Sequence, residues 1–214
     1  MKTAVRAFEL KASDDAARTF TGLAAAFSLD QGGDVILPGA FKRTLKDWKA
    51  SKGKVIPLID SHGRDSIRRV VGKMIDAEET AEGLEATFEV IDGPDGDEVH
   101  RRLKGGYVTG LSIGFELVAA RLPTSAEREV YPGVERVLVE LKLREVSVVV
   151  FPMNEEARVD ADTIKLSSRE RERAALVSAF SGEDLAPDHP RRLALEHRYR
   201  SLVIRDIEQR ARFN

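Results

Sequence analysis

Along the first 160 residues the apolar positions come in short runs separated by Gly, Pro and Asp, a pattern that predicts strands. Phe20–Phe27, Val35–Leu37 and Lys54–Ile59 are three such runs. Arg69–Glu78 and Leu84–Ile91 flank Glu82-Gly83 and read as a hairpin. Tyr107–Arg121 and Glu135–Phe151 carry the strongest strand patterns, and Pro123, Pro132 and Gly133 between them predict a long exposed connection. Two segments have helical spacing instead. Ala40–Ser51 places Phe41, Leu45 and Trp48 at i, i+4 and i+7. Asp95–Lys104 runs from acidic to basic, the order the helix dipole favours, and stops at Gly105-Gly106.

Beyond Arg158 the pattern changes. Ser167-Ser168 precede the alternating charges of Arg169–Arg173, which suits a helix start on a solvated face. Asp184–Pro190 is a break with two prolines, and a second helix is expected from about Arg191 to Arg212, with Leu195, Tyr199, Leu202 and Ile207 near one face. The chain thus divides into a body over 1–160 and a helical C-terminal extension over 161–214. Charge follows the division. From Lys165 to Asn214 there are 11 Lys+Arg against 8 Asp+Glu, a net +3, which leaves the remainder at −5.

Composition narrows the chemistry. With 42% hydrophobic and 33% charged residues the chain is expected to be globular and soluble. No apolar run approaches the roughly 20 residues of a membrane helix, so no membrane partner is expected. A net charge of −2 gives no electrostatic ground for a nucleic-acid partner. There are no cysteines, which removes disulfides, thiolate nucleophiles and cysteine zinc sites together. His62, His100, His189 and His197 form neither HxH nor HExxH, and no metal or cofactor is expected.

Three segments carry candidate chemistry. In Val108–Leu117 strand alternation puts Leu111, Ile113, Phe115 and Leu117 on one face and Gly110, Ser112 and Gly114 on the other. A serine flanked by glycines leaves open space beside its hydroxyl, where a substrate backbone could approach. In Val55–Gly63, His62 shares a strand face with Ile56, Leu58 and Asp60 and ends an apolar run. In Leu141–Val150, Glu145 alternates onto one face with Leu141, Leu143, Ser147 and Val149. A buried carboxylate there needs a partner: a histidine, or an arginine such as Arg144 or Arg158. Together the segments supply a nucleophile, a base and an orienting acid, in the order His62, Ser112, Glu145.

Other readings fit parts of this pattern. Gly110-Leu111-Ser112-Ile113-Gly114 also matches the G-x-S-x-G elbow of α/β-hydrolase esterases, which requires a helix after the serine. Here the strand alternation continues through Leu117. A strand-rich body with a helical tail could also be a non-enzymatic assembly protein.

The sequence resembles the prohead proteases of tailed bacteriophages. The resemblance covers roughly Phe20–Val159. It is carried by Gly33-Asp34-Val35-Ile36-Leu37-Pro38-Gly39-Ala40-Phe41, by Ser61-His62, by Gly110-Leu111-Ser112-Ile113-Gly114-Phe115 and by Glu145-Val146-Ser147-Val148-Val149. It implies an α+β, predominantly β fold: an assemblin-like, mostly antiparallel β-barrel, closed or nearly so, with flanking helices. It also implies a serine endopeptidase with catalytic His62, Ser112 and Glu145, and Arg158 is a candidate oxyanion donor. The implied substrate is a major capsid protein or scaffold precursor, cut inside the assembling procapsid in the host cytoplasm. Self-cleavage and a homo-oligomer are further expectations.

Overall fold

The computed structural model describes residues 18–166 continuously and scattered positions from 175 to 204. Residues 18–165 group together as one body. The predicted tail helices therefore fall largely outside the described residues.

The body is built on one strand. β7 (Arg136–Val149) is 14 residues long and pairs along one edge with β6 (Gly110–Arg121), antiparallel. Its other edge is shared. β2 (Asp34–Ile36) runs parallel to its beginning, and β3 (Pro57–Asp60) runs parallel to its end. From β3 the sheet continues antiparallel through β4 (Val70–Glu79), β5 (Gly83–Val90) and β1 (Thr19–Ala26). β8 (Val159–Asp160) adds to β1. Among the described residues five of these seven pairings are antiparallel, as expected for a mostly antiparallel sheet.

The sheet curls back on itself. The Leu23 amide donates to the Arg158 carbonyl at 2.9 Å, and the Leu111 amide donates to the Ala157 carbonyl at 2.8 Å. Residues 157–159 thus join β1 to the start of β6. The hollow of the curl holds the core, in which Phe20, Leu58, Phe88, Leu111, Leu143 and Val146 are fully buried. Phe20 and Phe88 are register partners across β1 and β5, and their rings stack with centroids 5.1 Å apart.

α1 (Lys42–Ala50) begins after the predicted Phe41, which stands at its N-cap position and is wholly buried, and Leu45 is on its buried face. Its entry is fixed from β4, where the Glu79 carboxylate accepts the amides of Gly39 (2.9 Å) and Phe41 (2.8 Å). α2 (Pro94–Lys104) keeps the predicted order, with Asp95 and Asp97 in its first turn and Arg101, Arg102 and Lys104 in its last. The left-handed residue that ends it is Gly106 (φ 69°) rather than Gly105.

Two expectations from the sequence change in the structure. The expected strand from Lys54 pairs only from Pro57, after the Ile56 carbonyl has accepted the Met74 amide at 2.9 Å. The connection between β6 and β7 contains a short helix, α3 (Ser125–Val130), started by a capping box of Thr124 and Glu127. As the alternation predicted, residues 114–121 are strand, so Ser112 does not stand on the strand-to-helix elbow of an α/β-hydrolase.

Candidate active site

His62 is not on the face of a strand. β3 ends at Asp60, and Ser61 (φ 52°) and His62 (φ 55°) both adopt the left-handed conformation that side chains rarely take. Two such residues in succession are strained, and each costs on the order of 1–3 kcal/mol. The turn is held by backbone bonds on either side: the Ser61 amide to the Val148 carbonyl at 3.0 Å, and the Gly63 amide to the Asp60 carbonyl at 2.9 Å. This twist carries the His62 ring off the sheet towards Glu145.

Glu145 is the acid that the ring meets. Its side chain is 3% exposed, and Oε1 lies 2.7 Å from His62 Nδ1. The other oxygen, Oε2, accepts the Ser147 hydroxyl at 2.8 Å. The Arg64 guanidinium stands 3.5 Å from Oε1, at the outer limit of a hydrogen bond, and its side chain is largely exposed. The predicted arginine partners are engaged elsewhere: Arg144 with Glu116, and Arg158 through Nε with the Glu155 carbonyl. With Nδ1 bound to a carboxylate, His62 has Nε2 left as the nitrogen that can accept a proton.

Ser112 is half-buried on β6, directly opposite Ser147 in the ladder, and Gly114 is directly opposite Glu145. Paired residues project to the same side of a sheet, so Ser112 shares its side with Glu145 and Ser147. The expected open space beside Ser112 is partly taken by the protein. A Cβ at Gly114 would overlap Glu145 Oε1, and one at Gly110 would lie 2.7 Å from the Val149 carbonyl oxygen. The glycines thus let the strand pack closely against its own neighbours.

His62 and Ser112 line one cleft of about 490 Å³. Among the described residues no hydrogen bond joins them. The wall beside them includes Ala24, Ala25, Leu111 and Leu138, and Phe151 and Met153 form an exposed apolar rim. Asp30, Asp34 and Arg136 lie along another stretch of the wall. Asp34 makes two bonds to the Arg136 guanidinium, at 2.8 and 2.5 Å, and Asp30 Oδ1 accepts the Gly32 and Asp34 amides. Burial raises the Asp30 carboxyl above the usual aspartate range against the pull of those amides. Arg158, the candidate oxyanion donor, is absent from this lining. Sequence reasoning gave no role to Arg64, Asp30 or Ser147. Ser147 stood in the predicted stripe with Glu145, whereas nothing local marked Arg64.

Residues 6–172 match the family described as caudovirus prohead serine protease. The chain belongs to that family. The prohead protease of Enterobacteria phage HK97 is 29% identical over 144 residues, which cover 66% of this chain and 59% of that protein. The capsid polyprotein of Pseudomonas phage PAJU2 is 32% identical over 187 residues, 82% of this chain and 24% of that protein. The match thus spans less than two thirds of either relative. Among solved structures, the bacteriophage T4 capsid assembly protease is similar with a TM-score of 0.48 at 14% identity, over 63% of this chain and 82% of that one.

Proposed function

We propose that the chain is a serine endopeptidase of phage head maturation, acting on a capsid or scaffold precursor inside the assembling procapsid. Ser112 is its nucleophile, His62 its general base and Glu145 its orienting acid. The observation that carries this reading is the 2.7 Å bond between His62 Nδ1 and the buried Glu145 carboxylate, on the cleft that also contains Ser112. Family membership and the capsid polyprotein among the relatives support a capsid-derived substrate.

In this mechanism the Ser112 hydroxyl gives its proton to His62 Nε2 as its oxygen attacks the peptide carbonyl carbon. The imidazolium so formed is stabilised by Glu145, which stays ionised. His62 then returns the proton to the leaving amine, and water hydrolyses the acyl-enzyme by the same route. Closing the gap between Ser112 and His62 falls to substrate binding, since such bonds tighten in the reacting complex. The helical extension over 161–214, the barrel kinship with assemblin and a homo-oligomer belong to the same proposal, with the extension delivering the protease into the shell.

The direct test is labelling with a fluorophosphonate followed by peptide mass mapping. The adduct is expected on Ser112 and on no other serine. A folded chain that takes no label, and that leaves a co-expressed capsid precursor intact, refutes the proposal.

A further inference from the structure

We propose that Ser147 is a positioning residue of this site: its hydroxyl holds the His62 backbone and the Glu145 carboxylate as one unit. The inference rests on the triad reading above.

The directions of the hydrogen bonds are fixed by chemistry. The His62 backbone N–H can only donate, and it lies 3.1 Å from Ser147 Oγ, so the oxygen accepts there. The hydroxyl proton is then free for Glu145 Oε2, 2.8 Å away. The other carboxylate oxygen holds His62 Nδ1 at 2.7 Å. The circuit therefore runs from the His62 backbone through Ser147 and Glu145 to the His62 ring. Both ends of one residue are tied to a single pair of side chains on β7.

Two further observations show why the tie matters. Ser147 has no exposed surface, so its hydroxyl needs bonded partners, and the His62 amide and Glu145 are the two it has among the described residues. The residue it holds is also strained. Backbone bonds secure the residues before and after His62, but the bond from the left-handed His62 itself goes to Ser147. Without that hydroxyl the His62 amide and Glu145 Oε2 each lose a partner. The turn can then relax, carrying the ring away from the strand where Ser112 faces Ser147.

The test compares full-length wild type, Ser147→Ala and Ser147→Cys. The readouts are the fluorophosphonate labelling rate at Ser112, kcat and KM on a cleaved peptide, and the pH dependence of kcat/KM. Ser147→Ala is expected to lose roughly ten- to a hundredfold in labelling rate and kcat, the scale of a misplaced catalytic group, with KM within about twofold. The pH profile of kcat/KM should shift as well. Ser147→Cys, with a weak donor of similar size, should recover part of the rate and shift the profile back. A folded Ser147→Ala protein with wild-type rate and pH profile overturns the proposal. If Ser147→Ala does not fold, Ser147→Cys decides, because a rate and profile equal to wild type overturn it and a partial loss supports it. Wild-type protein that takes no label refutes the triad reading and this inference with it. Labelled wild type beside an unaffected Ser147 variant refutes this inference alone.

Discussion

Gly114 lies directly opposite Glu145 in the β6–β7 ladder, and the Glu145 carboxylate occupies the space where a side chain at 114 would begin. The acid reaches His62 because its neighbour across the sheet has no Cβ. Gly114→Ala must displace either the carboxylate or the strand. It is expected to lower Ser112 labelling about a hundredfold, as small misplacements of catalytic groups do. It should also lower stability by about 1–3 kcal/mol through overpacking. Labelling kinetics and denaturant unfolding measure the two effects, and wild-type labelling would show that Glu145 has another route to His62.

Ser112→Ala should abolish cleavage and labelling while the protein melts within a few degrees of wild type. The hydroxyl makes no hydrogen bond among the described residues, so its removal strands no partner. Cleavage by the purified variant at the wild-type rate would remove Ser112 from the mechanism.

Glu145→Gln keeps the shape of the side chain but not the charge that stabilises an imidazolium. A drop in kcat of roughly three to four orders of magnitude is expected, with Ser112 still present but slow to label. Glu145→Ala should be at least as inactive and also less stable, since it leaves the Ser147 hydroxyl without its acceptor. A variant within tenfold of wild type would show that Glu145 is only a structural partner.

Away from the site, the capping box of α3 should make a local contribution that depends on pH. Glu127, bonded to Arg121 and to the Thr124 amide, has its carboxyl lowered from 4.5 to about 2. A folded pKa below the unfolded one gives stability that is present above about 4.5 and is lost as pH falls towards about 2. The melting difference between wild type and Glu127→Gln should therefore be largest near neutral pH and shrink through that window. A difference that is constant from pH 6 to about pH 2 contradicts the assignment.

The end of the body can be tested by truncation. Thr163 Oγ1 accepts the Thr21 amide at 2.7 Å, and the Lys165 amide donates to the Thr19 carbonyl at 2.8 Å. A chain ending at Lys165 should keep peptide cleavage, and a chain ending at Val159 should melt lower because both bonds are gone. Equal melting of the two would show that 160–165 add nothing to β1. A folded but inert chain ending at Lys165 would place the extension in the active architecture.

Most strands were legible because apolar alternation and turn residues act locally. β1, β4, β5 and β6 begin or end within a few residues of their predicted limits. That Glu145 needs a partner was legible too, since a buried carboxylate must have one. The parallel pairing of β2 and β3 with β7 was not, because strand direction depends on contacts over 80 residues and more along the chain. The geometry of His62 was hidden for a related reason. A left-handed histidine is disfavoured by its own local preferences, and its backbone amide and ring are held by groups on β7, far along the chain. Gly114 was misread as room for substrate, because a sequence shows that a side chain is missing and not what fills the gap. The Gly33–Phe41 string takes on a structural meaning: Asp34 binds Arg136, and the amides of Gly39 and Phe41 bind Glu79.

The bridge formed by residues 157–159 also sets an order on biosynthesis. β6, with Ser112, leaves the ribosome before the segment that secures its first residues to β1, and His62 precedes its acid partner by 83 positions. A nascent chain therefore holds Ser112 before it holds the groups that fix His62. The arrangement of His62, Glu145 and Ser147 can form only once β7 has been made.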